Sequence, residues 1–190
     1  MPKRIIQFKS QTLFGTSSFF NEKDDERLKD LEICANFLPL ECWYNENIQR
    51  TDPYLESERR NIQYPINNIM KTGAPVPLGR DWPVTTYHPL DRIEVAVARK
   101  ETGNKDQSEE AWCKEQCISV EEAVLAYTIN SAWKNRQKTI VGNFEEAKKA
   151  DIVILNKDIF DCDAWEVSKA QVKMTILNGV PVYHNSMAEK

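Results

Sequence analysis

In the stretch PVPLGRDWPV, Pro75 to Val84, an apolar run ends in Gly79 and an aspartate follows, Asp81, held between Arg80 and the rigid pair Trp82 and Pro83. A carboxylate at such a place can ligate a metal or relay a proton, and it can equally be a turn residue. Other chemistry-bearing side chains are few. The two histidines are His88, in the segment after Asp81, and His184 near the end. The five cysteines, Cys34, Cys42, Cys113, Cys117 and Cys162, form an odd set without a C-x-x-C pair, which reads as reduced thiols rather than a disulfide framework. Cys113 and Cys117 stand at helical spacing, but two thiols without further ligands make a poor metal site. No serine sits in a glycine elbow, and no glycine-rich phosphate loop occurs. Trp43, Tyr44, Trp82 and Trp133 could stack on a ligand, although core packing accounts for Trp133 at the end of an amphipathic run.

The chain that must position these groups has 190 residues, 41% of them hydrophobic, enough for one ordinary domain with a core. Its formal charge of -4 comes from lysines and arginines scattered among acids, so no basic stripe marks a nucleic-acid partner. No apolar window reaches the roughly 20 residues of a membrane helix, and the start lacks the apolar centre of a signal peptide. A cytoplasmic location is expected.

Residues 1–22 show no sustained period, and GTSSFFN within them reads as a loop. EKDDERLKDLEI places Leu28 and Leu31 on one face of a short surface helix, and ICANFLPL reads as a buried strand stopped by Pro39. ECWYNENIQRTDPY carries turn formers without periodicity and is expected to be a long loop. Ile62, Ile66, Ile69 and Met70 line a helix that Pro65 would kink and Gly73 would cap. APVPL should be a strand, awkwardly so with two prolines. LDRIEVAVARK is a mostly apolar helix, ETGNKDQSEE a solvated connector. Ser119 and Glu122 form a capping box that opens a helix along Val120, Ala123, Val124, Tyr127 and Ala132. ADIVIL is a strand, and Asn178-Gly179 marks a type I′ hairpin inside VKMTILNGVPVYH. Strands alternating with helices imply a parallel sheet, and the terminal hairpin a separate antiparallel piece.

Five successive blocks, YPINNIMKTGAPVPLGRDWPV, HPLDRIEVAVARK, ISVEEAVLAYTINSAW, GNFEEAKKADIVILNKDIF and VKMTILNGVPVY, resemble the carboxyl-terminal third of metal-dependent amidohydrolases. The likeness is to their third subfamily, which includes N-substituted formamide deformylases. ICANFLPLECWY resembles the block before them, so the resemblance covers about Asp24 to Tyr183.

The resemblance implies an α/β chain: a partial (β/α)8 TIM barrel, comprising the last two strands and helices, plus the carboxyl-terminal half of a small β-sandwich. The domains would be residues 1–22 unassigned, 23–140 the partial barrel and 141–190 the sandwich piece. ICANFLPL would be the seventh barrel strand and APVPLG the eighth. Asp81 falls on the family's aspartate at the end of the last strand, a ligand of a divalent metal, zinc by expectation, that accepts a proton from metal-bound water. Arg80 replaces the small residue, usually serine, before that aspartate, and its cation would compete with a metal. Trp82, Trp43 and His88 would lie around the substrate mouth, and His184 has no assigned role. The family's His-x-His, its bridging lysine or glutamate and its further histidines have no match, and Ala147 stands where a family turn has glycine.

These features imply hydrolysis of a non-peptide carbon-nitrogen bond in a small amide or formamide by metal-activated water. The chain itself is expected to be inactive and to hold no metal. The alternative is a non-catalytic interaction or regulatory module that self-associates through open sheet edges. No nucleic acid or membrane partner is expected.

Overall fold

The computed structural model describes residues 13–14, 22–106 and 108–189. The segment GTSSFFN lies outside the described residues.

Three short segments run parallel side by side. Strand β1, Leu13–Phe14, pairs with β2, Cys34–Ala35, and Phe37 bridges Leu78 in the next segment. Only one strand before APVPL was expected, so β1 adds a neighbour in a stretch whose sequence carries no period. Two residues are too few for a hydrophobic alternation to register. The prolines confine the last segment to a single bridge, in which Phe37 N–H donates to Pro77 O at 3.2 Å and Gly79 N–H to Phe37 O at 2.8 Å.

Helices connect and cover these segments. Helix α1, Glu22–Asp30, buries Leu28, whereas Leu31 lies beyond its end and is exposed. After a 3-10 turn at Pro39–Glu41, the expected long loop, residues 41–54, is largely helical: α2, Glu46–Thr51, and a second 3-10 turn at Asp52–Tyr54. Asn45 starts α2, its side-chain oxygen accepting from Asn47 and Ile48 N–H at 3.0 and 3.1 Å, so one cap organises a stretch with no apolar period. Pro65 breaks the next helix rather than kinking it. Helix α3, Ser57–Arg60, ends before it and α4, Ile66–Thr72, begins after it, with Tyr64 at φ 51° between. Gly73 closes α4 at φ 82°, as a left-handed cap requires.

Helix α5, Pro89–Ala98, opens with proline at its first position and is buried nearly all round. Among Leu90, Ile93, Val95 and Ala96 lie three charged side chains, Arg92, Glu94 and, at the left-handed cap, Arg99, each at most 1% exposed. Charges so placed need hydrogen-bond partners. Glu94 accepts from Ser168 N–H at 2.9 Å and from Gly103 N–H, tying α5 to the connector and to the 3-10 helix Ala164–Lys169.

The capping box forms as expected: Ser119 Oγ accepts from Glu122 N–H and the Glu122 carboxylate from Ser119 N–H. The helix then runs as α6, Val120–Leu125, a π-helical turn at Ala126–Asn130, and α7, Ser131–Lys134. Thr128 and Ser131 hydroxyls bond back to Val124 and Ala126 carbonyls at 2.8 and 2.9 Å within that wider turn.

Strands β3, Ile152–Leu155, β4, Val172–Leu177, and β5, Val180–His184, form an antiparallel sheet in that order. Asn178 and Gly179 turn β4 into β5 with φ of 52° and 81°, as a type I′ pair must. Ala147 has φ 69°, so the backbone there keeps the left-handed conformation that glycine adopts more readily. The main core gathers Phe37, Ile66, Ile69, Val76, Val95 and Val167, where each fully buried aliphatic side chain contributes about 1.5–3 kcal/mol.

Candidate functional site

The strand segment ending at Leu78–Gly79 leads directly into the loop that carries Asp81. The aspartate serves as a turn residue through its backbone: its carbonyl accepts Thr85 N–H at 2.9 Å. Its side chain is exposed, as are those of Arg80 and Trp82, the latter at 61%. The Trp82–Pro83 peptide bond is cis.

The other expected mouth residues make contacts of their own. His88 precedes α5, with Nδ1 3.1 Å from Asp91 Oδ1, a contact made within its own helix start. Trp43 is half-buried and packs against the main core, so its ring serves packing. Its neighbour Cys42 is fully covered, and burial pushes that thiol up to about 12. Burial likewise raises Cys113 and Cys117. His184 lies exposed on β5.

Two side chains that the sequence reading left without a role grip the ends of the Asp81 loop. Tyr127, on the π-helical turn, donates its hydroxyl to Gly79 O at 3.3 Å. Burial holds its phenol above the ordinary value, against the opposing pull of Arg92. Arg92 donates to His88 O at 3.0 Å, to Thr85 Oγ1 at 3.1 Å and to Thr86 O. The available signal for Arg92 was a lone cation among apolar residues on a helix otherwise fit for burial.

Among the described residues, no group of three or more His, Cys, Asp or Glu side chains could hold a metal ion. A catalytic zinc generally takes three protein ligands and keeps one open position. Asp81 with the adjacent Arg80 cation does not meet that need, so the residues present do not by themselves fit such a metal. What they provide is one carboxylate presented to solvent at the carboxyl end of a parallel strand.

Parallel strand segments joined by helices, with a carboxylate beyond the last strand tip, define a mixed α/β domain. Residues 10–183 match the amidohydrolase family, and the chain belongs to it. It is 31% identical over 131 residues to the N-substituted formamide deformylase of Arthrobacter pascens, covering 69% of this chain and 23% of that protein. Its fold is similar to that of an uncharacterized metal-dependent hydrolase from Pyrococcus horikoshii (TM-score 0.65, 21% identity, 82% of this chain and 31% of that one). It is also similar to a mutant atrazine chlorohydrolase TrzN from Arthrobacter aurescens, a structure complexed with zinc (TM-score 0.63, 16% identity, 91% of this chain and 36% of that one). The chain spans between 21% and 25% of the length of the curated relatives it matches.

Proposed function

We infer that this chain corresponds to the carboxyl-terminal part of a metal-dependent amidohydrolase that hydrolyses a non-peptide carbon-nitrogen bond of amide or formamide type. The observation that carries this reading is the place of Asp81, an exposed carboxylate just past Leu78–Gly79, within a family match that runs through it. A carboxylate there can take up and hand on a proton at its oxygens, the step that amide cleavage needs when the nitrogen leaves. Trp82, exposed beside it, offers an apolar plate for a substrate, and His88 lies at the far end of the same loop.

The ligands that would complete a divalent metal site, zinc by analogy with the chlorohydrolase structure, lie outside this set of residues. The chain alone therefore neither binds metal tightly nor turns over. Zinc titration by calorimetry, with Asp81→Asn as control, tests this. Less than about one tightly bound equivalent is expected, with no hydrolysis of formamide or N-acyl substrates. Stoichiometric zinc with turnover, lost in Asp81→Asn, would overturn the inactive reading.

A further inference from the structure

We propose that Arg92 is the positioning residue for Asp81, acting through the loop that follows the aspartate, with Tyr127 fixing the base of the same loop. This rests on the reading of Asp81 as the reactive carboxylate. The loop runs from Gly79 to His88, and its middle residues, Arg80 to Val84, are exposed. Such a segment has little apolar burial to hold it in one conformation.

Its two ends are held by hydrogen bonds from buried or half-buried side chains of other elements. At the start, Tyr127 Oη reaches Gly79 O at 3.3 Å. At the far end, the Arg92 guanidinium, 1% exposed, spans Thr85 Oγ1, Thr86 O and His88 O. Thr85 is the link between the two halves. Its N–H donates to Asp81 O at 2.9 Å, while its hydroxyl oxygen accepts from Arg92 at 3.1 Å. Fixing Thr85 thus fixes the Asp81 backbone, and with it the Cβ from which the carboxylate extends.

The chemistry favours arginine at this post. A planar guanidinium offers five donors in a fixed fork, so one side chain can bind three acceptors at once. Lysine would reach fewer, and an apolar side chain none. Burying a cation whose direct hydrogen-bond partners are carbonyls and a hydroxyl is costly for stability alone. Its presence fits a demand for loop geometry.

Hydrogen exchange of the intact chain, followed by NMR at single amides, tests the assignment. In Arg92→Met, the Thr85 and His88 amides should exchange about tenfold or more faster, since hydrogen bonds to a charged donor are lost. The Arg99 and Ala123 amides, bonded within their helices to Val95 O and Ser119 O, should keep their rates. Arg92→Lys should restore part of the loop protection, because a charged donor remains, whereas packing alone would be restored by Met. Thr85→Val, which removes one acceptor in a half-buried loop position, should raise exchange at His88 by a smaller factor even if Arg92→Met fails to fold. Unchanged loop exchange in Thr85→Val, Met equal to the parent, or equal acceleration at all four amides would overturn the proposal. Asp81→Asn should leave the exchange pattern unaltered, since only the Asp81 carbonyl is used. Loss of the carboxylate's chemistry and loss of the clamp are thereby read separately.

Discussion

Arg99 offers the sharpest test of how this fold manages charge. It is fully buried, and among the described residues its guanidinium donates to three carbonyls: Gln63 O at 2.8 Å, Trp112 O at 3.1 Å and Tyr64 O at 3.5 Å. The same group lies 5.0 Å from the centre of the Trp112 ring. Replacing it by methionine keeps the stem and removes every donor. Two well-formed bonds to a charged donor are worth roughly 1.5–3 kcal/mol each, and the ring contact about 0.5–2 kcal/mol more. Against this stands the relief of leaving no charge buried, which can offset several kcal/mol. The balance predicts a net loss of about 2–4 kcal/mol, because three carbonyls are stranded at once. With a urea dependence of roughly 2 kcal/mol/M, the unfolding midpoint should fall by about 1–2 M. Arg99→Lys should lose a similar amount, since one ammonium cannot reach all three carbonyls. A methionine variant within about 0.5 kcal/mol of the parent would show desolvation to be the larger effect and refute the reasoning.

Two further outcomes follow from the backbone and the thiols. Ala147→Gly relieves a left-handed backbone at an exposed turn, so it should stabilise by about 0.5–1 kcal/mol after the glycine's extra chain entropy, raising Tm by about 1–4 °C in a thermal melt. A lower Tm would mean that the turn is held for another reason. Cys42 has a folded pKa of about 12 against an ordinary 9.0, so the fold favours its neutral thiol. The stability from that preference is complete below pH 9 and is lost as pH rises from there towards 12, by at most about 1.4 kcal/mol per pH unit. Urea midpoints measured across that window should fall more steeply in the parent than in Cys42→Ala, and parallel curves would refute the assignment.

Local chemistry made some of this fold legible from sequence. The Ser119–Glu122 box, the Asn178-Gly179 turn and Gly73 closing α4 each specify a backbone conformation by themselves. The misses share the opposite property. Helix α2 depends on one cap in a polar stretch, and β1 exists only through its pairing with Cys34–Ala35. The roles of Glu94 and Arg99 depend on amides and carbonyls far along the chain, from Gln63 to Ser168. No window of neighbouring residues contains that information. For the candidate site, the family resemblance drew attention to Asp81, whereas Tyr127 and Arg92, which bond to its loop, become visible only when α5 and the π-helical turn are placed beside it.

The π-helical turn also explains how the last parallel segment is covered. Val76 and Leu78 direct their backbone groups away from Phe37, whose bonds go to Pro77 and Gly79. An uncovered row of this kind would be a template for another strand, which is what the expectation of open-edge association requires. Here Asn130 Nδ2 donates to Val76 O at 3.1 Å, and Leu78 N–H approaches Ala126 O at 3.4 Å. Asn130 closes the π-helical turn that Ala126 opens, so one irregular turn supplies both a donor and an acceptor to the edge. The antiparallel sheet has an apolar surface of its own. Across β3, β4 and β5, Val153 pairs with Thr175, Thr175 with Tyr183, and Leu177 with Val180. Val153, Leu177, Val180 and Tyr183 are all exposed. Those four side chains form an exposed apolar stretch of the sheet, open to packing by a further layer.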